Sequence, residues 1–224
     1  MNLAPINTRC VGTDARRVDG VDKVTGKALF AADLVAHGML WGQMVRAAHP
    51  HANIDGIDVA AAMASPGVVR VLTAADVPGN TNFGVIVPHQ PVLCRDKVRF
   101  MGDGVALVLA EGREQAAAAA RLVKVDYTPL PAVFDVDEAL ETGAPQIHPD
   151  YPGNVVAHHR VRTGDVEAGF AAADLVIERD YSTQLIEHAY IEPEAALAVP
   201  GPGGGVEVRG SIQNPFACRR AVAR

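Results

Sequence analysis

Val105-Ala106-Leu107-Val108-Leu109-Ala110, followed by Glu111-Gly112 and the alanine-rich stretch over residues 113–123, decides the fold class. The first run is apolar throughout and includes the β-branched Val105 and Val108, which suits a strand. Five consecutive alanines, Ala116 to Ala120, then make a strong helix. Glu111 and Glu114 stand near its start and Arg121 and Lys124 near its end, which suits the helix dipole. Val123-Lys124-Val125-Asp126-Tyr127 returns as a strand, ended by Pro129 and Pro131. Strand, helix and strand in direct succession mark a mixed α+β chain.

Working outward, residues 39–46 and 54–59 read as strands, and 59–63 as a helical turn stopped by Pro66-Gly67. Val68 to Thr73 is a further strand, and 74–78 a turn closed by Pro78. Residues 79–91 read as a loop. Residues 98–100 and 105–110 read as a strand pair broken at Gly102-Asp103-Gly104. Downstream, a short helix is expected over 136–141. Another is expected over 165–173, with Thr163 or Asp165 as N-cap. Residues 174–184 alternate as a strand would. Residues 195–199 and 206–210 flank Pro200-Gly201-Pro202-Gly203-Gly204-Gly205, a hairpin loop. A helix begins at Phe216. A strand, a hairpin and a helix start at the end of the chain leave one sheet edge open and one apolar face uncovered. Another chain or a continuation of this one is expected to cover them, or the edge to pair with a second copy.

The 224 residues are 49% hydrophobic and 21% charged, a globular composition. The formal net charge of -6, with scattered Lys and Arg, argues against a nucleic-acid partner. Arg219-Arg220 with Arg224 reads as a solvated helix face. Cys10, Cys94 and Cys218 are far apart, and no C-x-x-C occurs, so neither zinc nor iron–sulfur ligation is supported. No run of about twenty apolar residues and no signal-like start occur, which leads to the expectation of a cytoplasmic location.

Several local patterns suggest chemistry and yield to plainer readings. The glycine-rich 200–205 stretch lacks the Lys-Ser/Thr and the following helix of a phosphate loop. His49-Pro50-His51 places two imidazoles at alternate positions without a third ligand nearby, and His158-His159 is weaker still. No Gly-x-Ser-x-Gly elbow and no Gly-x-Gly-x-x-Gly fingerprint is present. Asp165, Glu167, Glu187 and Glu194 read as caps or solvated acids. Glu192 follows Ala189-Tyr190-Ile191, where a charge needs a partner, and a structural contact is expected for it.

The chain also carries a series of ordered words. They are Arg17-Val18-Asp19-Gly20, Lys23-Val24-Thr25-Gly26, Gly38-Met39-Leu40, Leu72-Thr73-Ala74-Ala75-Asp76-Val77-Pro78, and Val123 to Tyr127. Beyond them come Gly164-Asp165-Val166-Glu167, then Glu187-His188-Ala189-Tyr190-Ile191-Glu192-Pro193-Glu194, then Gln213-Asn214-Pro215-Phe216. Taken together they resemble the molybdenum-cofactor large subunit of the xanthine dehydrogenase and aldehyde oxidase family. The resemblance implies an N-terminal arm over 1–17, an α/β "hammerhead" domain over 18–137, a linker over 138–154, and the truncated start of a molybdopterin-binding domain over 155–224.

It further implies a molybdenum oxidoreductase that hydroxylates C–H carbons of heteroaromatics or aldehydes with water, using molybdenum held by a pterin dithiolene and a glutamate base. Iron–sulfur clusters and FAD are expected on partner domains or subunits, and no cofactor on this chain alone. Purines, nicotinate-like rings and acyl-CoA thioesters lie within the family's range. The family's glycine-rich segment by the metal and its catalytic glutamate lie downstream of Arg224, so no catalytic residue and no metal ligand is assigned here. Gln213 is the candidate cofactor-binding residue. Glu187, His188 and Glu192 are expected to shape the fold around it. Ile186 stands where some members place a glutamine near the metal, with Gln184 two residues earlier. The expected partners are the remaining molybdopterin-binding polypeptide and iron–sulfur and flavin subunits. The rival reading is a non-catalytic assembly module that keeps the hammerhead fold.

Overall fold

The computed structural model describes residues 14–79, 81–84, 87–184, 186 and 189–223. They divide into two units. One is Gly38–Leu185 with Arg219–Arg224; the other joins Met1–His37 to Ile186–Cys218.

Among the described residues the larger unit holds eight strands. They are β1 (Trp41–Arg46), β2 (Ala52–Asp58), β3 (Val68–Thr73), β4 (Asn82–Phe83), β5 (Gln90–Pro91), β6 (Lys97–Val98), β7 (Gly104–Ala110) and β8 (Lys124–Pro129). They form antiparallel sheets ordered β1-β7-β3 and β6-β2-β8, plus a two-residue ladder between β4 and β5 inside the stretch read as a loop. β7 takes the central place because its run is apolar on both faces, as a doubly covered strand requires. The helix Arg113–Ala120 lays Ala116 and Ala119 against this sheet, three residues apart and therefore on one face. Ala62, Val71, Ala106, Val108 and Ala119 make one core cluster. Ala47, Ala52, Cys94, Val98 and Val105 make another, with Ile54, Ile57, Val125 and Tyr127 packed on it. Gly67, at φ +77°, turns the chain from the helix Ala60–Met63 into β3; a Cβ there would collide with the Gln115 amide.

Two strand expectations fail. β6 and β7 are not a pair: β6 joins β2, while β7 joins β1 and β3. The intervening turn sends the chain from one sheet to the other, and buried Asp103 organises it. Its Oδ2 accepts from the backbone N–H of Arg99 at 2.7 Å and of Phe100 at 3.3 Å, and its own carbonyl accepts from Ala47 N at 2.8 Å. The 174–184 stretch is not a strand among the described residues. Within it Leu175, Ile177 and Tyr181 are 76%, 70% and 89% exposed. Alternating apolarity without a neighbouring strand supplies no ladder bonds.

Residues 138–154 carry their own hydrogen-bonded structure. Asp135 Oδ1 caps the helix Val136–Leu140 by accepting from Asp137 N and Glu138 N. Asn154, at φ +59°, gathers the rest. Its Oδ1 accepts from Ile147 N at 2.9 Å, and its Nδ2 donates to the carbonyls of Ala139 and Pro145, each at 3.0 Å. Further on, Asp165 caps the helix Val166–Ala171 through Ala168 N.

Cys94 offers a chemical check on this packing. Burial, with Asp103 nearby, pushes its thiol up to about 12. In the native chain a disulfide reagent at pH 8 is expected to modify half-exposed Cys218 and to spare Cys94 until denaturant is added. The sign on stability follows. The unfolded thiol ionises near 9 and the folded one does not, so this contribution is complete below pH 9 and is lost as pH rises toward 12.

In the smaller unit, Asp19 precedes the helix Gly20–Val24 and pairs with Arg17 at 2.6 Å and Lys23 at 2.8 Å. These two cations hold the Asp19 carboxyl well below the usual carboxylate range, although the side chain is half exposed. The hairpin β9 (Ala196–Pro200) and β10 (Val206–Gly210) pairs in the register Ala196↔Gly210 to Pro200↔Val206. Its loop closes with Gly201 N donating to Gly205 O at 2.7 Å. Every residue of β10 is exposed. Among the described residues of this unit only Ala31 is buried.

Candidate functional site

Glu192 joins segments far apart in sequence within the smaller unit. Its Oε1 accepts from Ser211 Oγ at 2.8 Å and from the backbone N–H of Ala31 at 3.3 Å. The hairpin register explains the first contact. Pairing Ala196 with Gly210 brings the stretch before β9 alongside the stretch after β10. Gly210 sits so close that a Cβ would lie 3.0 Å from the Ala195 carbonyl. The second contact anchors the 3-10 turn Ala31–Asp33, whose Asp33 Oδ2 in turn accepts from Phe30 N at 3.0 Å. Glu192 is thus a half-buried tie between three segments, the structural role its apolar setting suggests.

That tie is testable. Glu192→Ala is expected to destabilise the docking of residues 20–37 by about 1.5 kcal/mol, two hydrogen bonds to a carboxylate being lost. Glu192→Gln, which keeps an acceptor oxygen, is expected to cost less. Hydrogen exchange at the Ala31 amide reads both. Equal protection in wild type and Glu192→Ala would show that the tie is idle.

Gln213 stands two residues after Ser211, exposed, in the bend before the helix Pro215–Val222. Asn214 caps this helix, its Oδ1 accepting from Ala217 N at 3.1 Å, and Pro215 occupies the first helical position. The Gln213 amide makes no hydrogen bond among the described residues, so it has donors and an acceptor to offer. Glu187 and His188 lie outside the described residues. Ile186 and Gln184 are exposed. Glu194 is exposed as well.

The other sequence candidates have structural partners. The His49 ring packs edge-on against Tyr127 at 4.9 Å. His51 is buried, with Nδ1 2.6 Å from the Pro131 carbonyl and Nε2 unpartnered. His158 Nε2 accepts from Arg160 Nε at 3.2 Å. No group of three or more His, Cys, Asp or Glu side chains among the described residues converges as metal ligands do. The glycine-rich 200–205 stretch leads into β10 and not into a helix.

Sequence reasoning overlooked one constellation in the larger unit. His89, His148 and Tyr151 stack edge to face, with ring centroids 4.8 Å apart for the histidine pair and 6.3 and 6.0 Å from His89 and His148 to Tyr151. Burial and the nearby charges of Arg99 and His89 hold the His148 imidazole below its ordinary value. Nothing in the spacing of positions 89, 148 and 151 announces this contact; it arises because residues 139–154 fold back.

Two family profiles match the chain. Residues 25–131 match the aldehyde oxidase and xanthine dehydrogenase a/b hammerhead domain, and residues 147–224 match the molybdopterin cofactor-binding domain. A probable xanthine dehydrogenase subunit from Bacillus subtilis is 40% identical over 93% of the chain and 28% of its own length. The nicotinate dehydrogenase large molybdopterin subunit of Eubacterium barkeri is 37% identical over 95% of the chain and 50% of its own length. The solved aldehyde oxidoreductase of Desulfovibrio gigas superposes with a TM-score of 0.76 at 37% identity, over 86% of this chain and 22% of that one. The chain therefore spans half or less of these relatives. With both of its modules matched in order, it belongs to the family of xanthine dehydrogenase and aldehyde oxidase molybdenum-cofactor subunits.

Proposed function

We propose that this chain is the N-terminal portion of a molybdenum hydroxylase subunit. Residues 18–137 form the hammerhead module, 138–154 the connection, and 155–224 the opening of the cofactor-binding module. The reaction is oxidation of a C–H carbon in a heteroaromatic or an aldehyde. One C–H bond is replaced by C–OH with oxygen from water, releasing two electrons and two protons. The electrons leave through iron–sulfur clusters and FAD on partner domains or subunits, and the assembly is cytoplasmic. The observation that carries the reading is the cofactor-domain match over 147–224, with an unengaged amide at Gln213 inside it.

The residues present fit one edge of such a site. A metal held through a pterin takes its ligands from the pterin, so the protein's task is hydrogen bonding and orientation. When bound, the group supplies the two-electron oxidising centre. Gln213 offers N–H donors and a carbonyl acceptor to the pterin. Asn214 and Pro215 fix the helix that follows, and Glu192 with Ser211 fixes the strand that precedes. The chain supplies no assigned base. The remaining molybdopterin-binding polypeptide covers the exposed β10 strand and packs on the exposed apolar side chains of residues 174–184.

The test is molybdenum and pterin content, measured on the chain purified alone and co-expressed with that polypeptide. Molybdenum recovered only in the co-purified complex, and reduced by Gln213→Ala, is the expected result. A complex without molybdenum, or no complex, would sink the reading and leave an assembly module in its place.

A further inference from the structure

The larger unit contains a cleft of about 490 Å³ with no part in the function proposed above. Its walls include His89, Arg95, Lys97, Arg99, His148 and Tyr151. We propose that this cleft is an anion-binding site that takes the phosphate group of a small organic phosphate.

Three observations carry it. Arg95, Lys97 and Arg99 stand at alternate positions on and around β6, while Cys94 and Val98 turn into the core. Arg95, Lys97 and Arg99 all line the cleft, with Lys97 on the strand itself and the two arginines flanking it. None of the three forms an ion pair among the described residues. Arg95 donates to the Ala74 carbonyl at 3.2 Å and Arg99 to the Ile147 carbonyl at 3.0 Å. These bonds aim each guanidinium without neutralising it and leave further N–H donors for a ligand. The Lys97 ammonium has no hydrogen-bond partner among the described residues. Asp96 and Asp150 also line the cleft, and neither approaches the cations closely enough to pair with them. Three cations against two carboxylates leave the lining with a formal excess of one positive charge.

The lowered His148 value reports the same field. After burial, its causes are the charges of Arg99 and His89, opposed by Asp150 and Asp103. The volume lies within the range of small-ligand sites, which begins at about 300 Å³. The edge-to-face His89, His148 and Tyr151 rings give an aromatic wall beside the cations, suited to a ring carried by the phosphate.

The experiment is calorimetric titration of the full chain with inorganic phosphate and with AMP, alongside NMR titration of the His148 ring proton. Both ligands are expected to bind with Kd near or below about 1 mM, AMP the tighter. Saturating ligand is expected to raise the His148 pKa, because a dianion opposes the charges that depress it. Lys97→Met, at a side chain with no structural partner, is expected to weaken binding by about tenfold. Arg113→Met, outside the cleft, is expected to leave it unchanged. No binding at millimolar ligand, an unmoved His148 titration, or equal losses in the two variants would each overturn the proposal. So would binding of a poly-glutamate peptide by a chain that ignores both phosphates, which would make the cleft a protein-docking surface.

Discussion

Asp103→Ala is expected to lower the stability of the larger unit by about 3 kcal/mol, read as a drop in the urea midpoint. The side chain is 5% exposed, and its Oδ2 is the acceptor for Arg99 N and Phe100 N. Alanine leaves both donors without their carboxylate acceptor. The turn they hold feeds β7, the central strand of one sheet, out of β6, an edge of the other. It also seats Gly104, where a Cβ would touch Met44 Sδ at 3.0 Å. Asp103→Asn keeps one acceptor oxygen and is expected to cost about 1 kcal/mol. A midpoint for Asp103→Ala within error of wild type would show that water replaces the carboxylate without loss.

Asn154→Ala is expected to release residues 139–154 at a cost of about 4 kcal/mol, made of three hydrogen bonds and a left-handed backbone. Asn154→Gly removes the same bonds but tolerates φ +59°, so it is expected to cost about 1 kcal/mol less. The order alanine worse than glycine separates backbone strain from lost hydrogen bonding. Exchange of the Ile147 amide and limited proteolysis over 141–150 report the release. Acid acts on the same segment. His148 is held below its ordinary value, so its contribution is complete above about pH 6.5 and is lost as pH falls through its lowered value. Arg99 and His89 press it in that direction, and Asp150 and Asp103 press back. If Asn154→Ala leaves the Ile147 amide fully protected, the Asn154 hydrogen bonds do not hold the segment.

The elements that the sequence makes legible are those whose cause is local. β3 falls where a β-branched apolar run predicts it, and the alanine run makes the helix Arg113–Ala120. The proline- and glycine-rich loop joins β9 to β10 as expected, and the short helix before Leu140 forms with Asp135 as its cap. What stays hidden depends on partners distant in sequence. Alternation over 174–184 is a strand's pattern, but a strand is a relation between two segments, and the second is lacking among the described residues. Residues 98–100 and 105–110 are near neighbours in the chain and part at Asp103, whose two backbone bonds no periodicity reveals. At the candidate site, the context of Glu192 points to a contact but does not say that Ala31 and Ser211 make it. Gln213 is reached through family resemblance; the structure adds that its amide is exposed and unengaged.

The tie from Glu192 to Ala31 spans 161 residues of sequence. A ribosome adding roughly 5–20 residues per second needs on the order of 10–30 s to make that stretch. Throughout that interval the early segment has emerged and its acceptor does not yet exist. The strands and helix of the larger unit, whose contacts close within 38–185, can mature while the first segment waits. A pause in translation before codon 192 would lengthen the interval in which the Ala31 amide stands without its carboxylate acceptor.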